Sequence, residues 1–214
     1  MKKIMFNDRF GLTDAVLSGR KTMTRRLVRC PKRFMGEEYI ELEFHQRLGQ
    51  DFWYDCVVVD ADGRDVGPLP LPYEMGDVVA VAQRYADIPM EHFMKGIDDP
   101  MKRFFQADLV RQAAYRNKMF GVASLMPHHI RITDLWFERL RDISDEDCMK
   151  EGIRQSVVEY GGKKIVQWTF FGEKVTTWYD SPRDAFAAMI ERICGKGTWE
   201  SNPWVVAYTF KLED

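Results

Sequence analysis

A chain of 214 residues with 45% hydrophobic and 30% charged residues and a formal net charge of −2 has the balance of an ordinary globular protein, which excludes disordered and fibrous classes. Its length supports one core that hides roughly 70% of the surface exposed by the unfolded chain. No run approaches the ~20 apolar residues of a membrane span, and a slightly acidic total argues against a surface that grips nucleic acid everywhere.

The opening residues, Met1-Lys2-Lys3-Ile4-Met5-Phe6-Asn7-Asp8-Arg9, meet acid and base before any long apolar stretch, so no signal peptide is expected. A cytoplasmic location follows, with Cys30, Cys56, Cys148 and Cys194 as reduced thiols. The cysteines form no CxxC pair, and the nearest histidines are the adjacent His128-His129. Neither a zinc site nor another cofactor is expected.

Phe10, Leu12, Ala15, Val16 and Leu17 approximate helical spacing, with Asn7 or Asp8 as N-cap. Gly19 reads as the residue just past the helix, where a left-handed conformation meets no Cβ clash. Lys21 to Val28 follows as a strand. Around it stand Arg20, Lys21, Arg25, Arg26, Arg29, Lys32 and Arg33 with no acidic residue between them. Such a run is either a solvated face or a local anion site.

Cys56-Val57-Val58-Val59 is a short strand, Asp62-Gly63 a turn, and Pro68-Leu69-Pro70-Leu71-Pro72 is barred from a central strand by its missing donors. Gly76-Asp77 opens a strand at Val78 to Val81, and a pair of inserted helices is expected from about 89 to 117, broken near Asp98-Asp99-Pro100. A strand returns at Ile130 and runs toward Leu140. Ser144 then caps a short helix with Asp147 in the reciprocal capping position, and Gly152 ends it after Glu151. Gly161-Gly162 marks a hairpin, Ser181-Pro182 starts a helix that buries Phe186, Met189, Ile190 and Ile193, Gly195 stops it, and Val205 to Leu212 is the closing strand. Many short strands with few helices and no βαβ rhythm make an α+β or barrel protein.

Gly19-Arg20-Lys21-Thr22-Met23-Thr24-Arg25-Arg26 resembles the G-x-K-T-x-T-x-R signature of ASCH-domain proteins, and residues 138–153, from Glu138 to Ile153, resemble that family's second signature of a strand leading into an acidic helix. Gly76-Asp77-Val78-Val79 and Asn202-Pro203-Trp204-Val205 are similar to its weaker marks, in the right order. The closest likeness is to the longer, prophage-associated bacterial members, and it spans nearly the whole chain. It implies one PUA-like β-barrel domain over 1–214 with flanking helices, and insertions at about 30–73 and 84–121. It also implies a modified nucleoside or RNA as partner. Small members with the first signature are amidohydrolases acting on N4-acetylcytidine. Their working lysine, second threonine and glutamate fall on Lys21, Thr24 and Glu151, and the arginine closing the signature falls on Arg26.

Amide hydrolysis needs a nucleophile, a proton acceptor and a donor for the leaving amine. Thr24 attacks if a base takes its proton; Lys21 is that base if burial or nearby cations lower its pKa. Glu151 is the other candidate base, or the acid for the leaving amine. Arg25 and Arg26 are the expected substrate-holding cations. In a regular strand Lys21 and Thr24 point to opposite faces, so the mechanism requires residues 19–22 to form a turn, with the strand starting later. The rival reading is a non-catalytic module that holds RNA or a modified base; a third is a prophage partner-binding protein that uses the inserted helices.

Taken singly, Thr24 is an ordinary strand threonine, Lys21 a solvated lysine and Glu151 a surface glutamate. Gly195-Lys196-Gly197-Thr198 lacks the spacing of a phosphate loop. Trp204 is expected in the core, and Met90, Met94, Met101 and Met119 as packing within the insertion.

Overall fold

The computed structural model describes residues 1–28, 33–34, 37–46, 54–60, 64–95, 99–171 and 177–213. The turn expected at Asp62-Gly63, together with Arg29, Cys30, Lys32 and Asp98, lies outside them. In chain order the strands are β1 (Lys3–Ile4), β2 (Met23–Leu27), β3 (Arg33–Phe34), β4 (Glu37–Gln46), β5 (Tyr54–Asp60), β6 (Asp65–Pro68), β7 (Val78–Val81), β8 (His129–Arg139), β9 (Arg154–Tyr160), β10 (Lys163–Thr169) and β11 (Trp204–Glu213). The helices are α1 (Leu12–Leu17), α2 (Met90–Met94), α3 (Asp99–Arg111), α4 (Asp145–Lys150), α5 (Pro182–Cys194) and α6 (Thr198–Ser201). The fold is mixed α+β.

The strands expected at 21–28, 77–82, 130–140 and 203–212 share one mixed sheet, in the order β1-β7-β8-β11-β2. The closing strand lies inside it: β11 pairs with β8 on one side and β2 on the other. Val205, Val206, Ala207 and Tyr208 are all buried, so both faces of β11 are covered. The β8–β11 register jumps between Thr209 and Phe210, and such an irregularity bends a strand and sharpens its twist. Backbone pairing leaves β1 and β2 at the two edges, with no ladder joining them among the described residues.

Local signals account for most of the helix and turn ends. Ser181 Oγ accepts from the Asp184 N–H at 3.1 Å at the start of α5, and Gly195 follows its last residue. β9 and β10 form a hairpin whose two-residue turn is Gly161-Gly162, both with positive φ. Pro68 ends β6, an edge strand of the separate sheet β3-β4-β5-β6. Near the N-terminus Asn7 caps a short 3₁₀ turn, Asp8–Phe10, and the α-helix begins only after Gly11.

The main core gathers α1, α5 and the sheet around Ile4, Phe10, Ile132, Phe170, Phe186 and Tyr208. A second cluster, centred on Tyr85, Phe93, Leu109 and Met126, packs α2 and α3 against Ala80 of β7. Met90 packs against this cluster, whereas Met101 and Met119 are exposed, contrary to the packing role expected of them. Trp204 is half-buried with the Arg139 guanidinium 4.3 Å from its ring, and so lies at the rim of the core. No helix among the described residues is long and apolar enough to cross a membrane.

Gly152 has φ 107°, and a Cβ there would lie 3.3 Å from Leu12 Cδ2 and 3.8 Å from the Lys21 stem, whereas a Cβ on Gly19 (φ 70°) would meet nothing within 4 Å. Gly152→Ala therefore suffers strain and a contact together. It is expected to lower the unfolding free energy by about 1–3 kcal/mol, and Gly19→Ala by about 1–2 kcal/mol from the backbone alone. Urea midpoints at unchanged slope measure both.

Candidate functional site

Lys21 reaches the interior because regular strand starts late. Gly19 takes φ 70°, its N–H bonds Val16 O at 2.9 Å, the Lys21 N–H bonds Ala15 O at 2.9 Å, and β2 begins only at Met23. The turn that the mechanism required is present, and it removes the alternation conflict between Lys21 and Thr24. The Thr22 N–H then bonds Lys150 O at 3.0 Å, which ties the entry of β2 to the end of α4.

α4 sets the other half. Ser144 Oγ accepts from the Asp147 N–H at 3.1 Å and starts the helix. Glu151 caps its end, with Gly152 left-handed behind it. Asp147 does not return a bond to the Ser144 backbone, as the capping pattern suggested; its carboxylate turns to Arg25 at 3.2 Å and to Lys150 at 3.3 Å. A salt bridge to an inward-facing guanidinium outweighs a local cap here.

Lys21 Nζ donates to Glu151 Oε2 at 2.5 Å and to the Glu151 carbonyl at 2.7 Å. Lys21 is 2% and Glu151 3% exposed. Burial holds the Lys21 ammonium below its usual pKa; Glu151 opposes this, and the Arg26 and Arg25 charges add to it. Arg25 weakens the opposition, because its Nη1 lies 3.3 Å from Glu151 Oε1. The remaining Arg25 nitrogens bind Glu138 at 2.5 Å and Asp147 at 3.2 Å. One guanidinium thus holds three carboxylates in place, and Arg25 is a clamp whose three nitrogens are all engaged within the protein.

Arg26 is arranged differently. Its Nη2 donates to Met5 O at 2.8 Å, its guanidinium lies 5.7 Å from the Phe6 ring centroid, and its buried Nε has no partner among the described residues. Lys21 Nζ stands 5.9 Å from the same ring. Thr24 is buried on β2 opposite Tyr208 of β11.

Lys21, Thr24, Arg25, Arg26 and Glu151 all line one cavity of about 440 Å³, closed on its other sides by Met5, Phe6 and the Met189–Ile190 face of α5. That is the lower part of the range for small-molecule sites, apolar with a few convergent polar groups. The sequence gives no signal for the wall formed by Met5, Phe6 and α5. Glu138 and Asp147 stand inside the second signature, but their service to Arg25 depends on how α4 meets β2. Cys148 is the buried residue of α4, and burial pushes its thiol up to about 12, which leaves it inert as a nucleophile. No group of three or more His, Cys, Asp or Glu side chains among the described residues is disposed to hold a metal ion.

Removing one partner from a buried ion network leaves uncompensated charge, at a penalty of about 3–5 kcal/mol. Arg25→Met is expected to destabilise the fold by that amount in chemical denaturation, and Arg25→Lys to restore little, since a single ammonium cannot span three carboxylates.

No family model matches the chain, and no curated protein or solved structure matches it.

Proposed function

We propose that the protein is an amidohydrolase that removes an acyl group from an acylated cytidine or a related modified nucleoside, on an ASCH domain with a PUA-like barrel. The observation that carries this reading is the buried Lys21–Glu151 pair, which opens with Thr24 onto one cavity of about 440 Å³. The barrel reading is supported by the irregular β8–β11 ladder and by the Arg26 side chain, which reaches from edge strand β2 to Met5 just beyond edge strand β1.

In this mechanism Thr24 Oγ attacks the acyl carbonyl carbon and its proton passes to neutral Lys21. The carbon–nitrogen bond then breaks, and the Lys21 ammonium returns the proton to the departing exocyclic amine. Water, deprotonated by Lys21 in turn, adds to the acyl carbon of the Thr24 ester; the carbon–Oγ bond breaks, the Lys21 proton returns to Thr24 Oγ, and the carboxylic acid is freed. Glu151 orients Lys21 and takes up the charge that appears on it. The small, largely apolar cavity suits a single base with its acyl group, and the engagement of Arg25 with three carboxylates disfavours a non-catalytic phosphate grip at the same place.

Incubation with N4-acetylcytidine is expected to release cytidine and acetate; no turnover of this or other N4-acylated cytidines would overturn the reading. A hydrogen bond that merely held substrate is worth ~0.5–1.5 kcal/mol, about tenfold, whereas loss of a covalent nucleophile removes several orders of magnitude. Thr24→Val should therefore abolish hydrolysis and leave nucleoside binding nearly intact. If a tenth of the activity survived, a water activated at Glu151 would replace Thr24 as nucleophile.

A further inference from the structure

The segments that deliver the buried pair also build a second cavity, of about 540 Å³, whose walls include Arg20, Lys150, Arg154, Glu146, Met149 and Ile153. Arg20 directly precedes Lys21, and Arg154 opens β9 just after Glu151. The three cations are not alike. Lys150 is neutralised by Glu146 at 2.9 Å and Asp147 at 3.3 Å. Arg20 makes one side-chain hydrogen bond, from Nε to Ser18 Oγ at 3.0 Å, and has no carboxylate partner among the described residues.

Arg154 is held but not satisfied. Its guanidinium lies 3.8 Å from the Phe171 ring centroid, which fixes its plane, while its buried Nε has no hydrogen-bond partner among the described residues. Burial first, and the Arg20 charge second, hold its pKa below the usual arginine value. The one carboxylate among the lining residues, Glu146, is engaged by Lys150, so the two guanidiniums share the cavity with no ion-pair partner of their own among the described residues. A tetrahedral oxyanion in the cavity supplies the charge that both guanidiniums lack, since guanidinium–phosphate hydrogen bonds are charge-assisted and strong.

We propose that this second cavity binds a phosphate group, with Arg20 and Arg154 as its two ligating guanidiniums. The site stands on its own charges. That the phosphate belongs to the same ligand whose base enters the first cavity rests on the amidohydrolase reading. The shared chemistry has two sources, the monoester of a nucleotide or the diester of a nucleic-acid strand.

Calorimetric titration with inorganic phosphate, cytidine, cytidine 5′-monophosphate and a short oligocytidylate tests the proposal without any turnover. Inorganic phosphate should bind the wild-type protein. Arg154→Gln and the more exposed Arg20→Gln should each weaken it at least tenfold and leave cytidine affinity unchanged. A monophosphate that binds tighter than cytidine, with no further gain for the oligomer, assigns the site to nucleotides. A further gain for the oligomer, with a log–log salt slope that falls by about 0.7 for each arginine removed, assigns it to a strand. Absence of phosphate binding, or equal binding by the wild type and both variants, would overturn the site, whereas failure of the first cavity would show separately, as a loss of hydrolysis with phosphate binding intact.

Discussion

The contact between Lys21 and Glu151 constrains the rest of the site. It joins residues separated by 130 positions in the chain, and both partners lie almost wholly away from water. Burying two charges is expensive and is tolerated only where geometry and extra hydrogen bonds compensate. Here the compensation is structural. The Glu151 carbonyl accepts a second bond from Lys21, and Arg25 shares the Glu151 carboxylate. Glu138 and Asp147 in turn hold Arg25. Removing Lys21, Arg25 or Glu151 leaves a buried charge without one of its partners.

The surrounding fold brings these groups together from distant parts of the chain. β11 lies inside the sheet and sets β2 beside it, so Thr24 stands opposite the buried Tyr208. α4 ends where β2 begins, through the bond from the Thr22 N–H to Lys150 O. α5 and the Met5–Phe6 segment then roof the cavity with apolar groups. These low-polarity surroundings disfavour a charged lysine, as the proposed role of Lys21 as a base requires. Sequence neighbours of the pair, Arg20 and Arg154, line the second cavity, so the same two chain segments set a base-sized pocket and a cationic one.

Much of this was legible in the sequence wherever the signal was local. Gly161-Gly162, Ser181-Pro182 and Gly195 mark their turn and helix ends because glycine, serine and proline act through their own backbone geometry. That Lys21, Thr24 and Glu151 belong together was implied only by the resemblance of residues 19–26 and 138–153 to two family signatures, and the structure lines one cavity with all three. Strand alternation alone opposes this convergence, and the Gly19 turn resolves the conflict by delaying β2 to Met23. Long-range consequences were not legible. Asp147 has the position of a helix cap but serves Arg25, because the docking of α4 on β2 decides its partner. The interior place of β11 and the exposure of Met101 and Met119 likewise depend on packing that no local pattern encodes.

The central claim is that burial makes Lys21 a proton acceptor at the cavity. Site-resolved NMR titration of the Lys21 side chain, assigned by comparison with Lys21→Met, measures this directly. The structure predicts that its ammonium loses its proton below the ordinary lysine value of 10.5, and that Arg25→Met moves the midpoint upward, since Glu151 then acts on Lys21 alone. A Lys21 that titrates at or above 10.5 would be a permanent ion-pair partner of Glu151, and would contradict its role as the base.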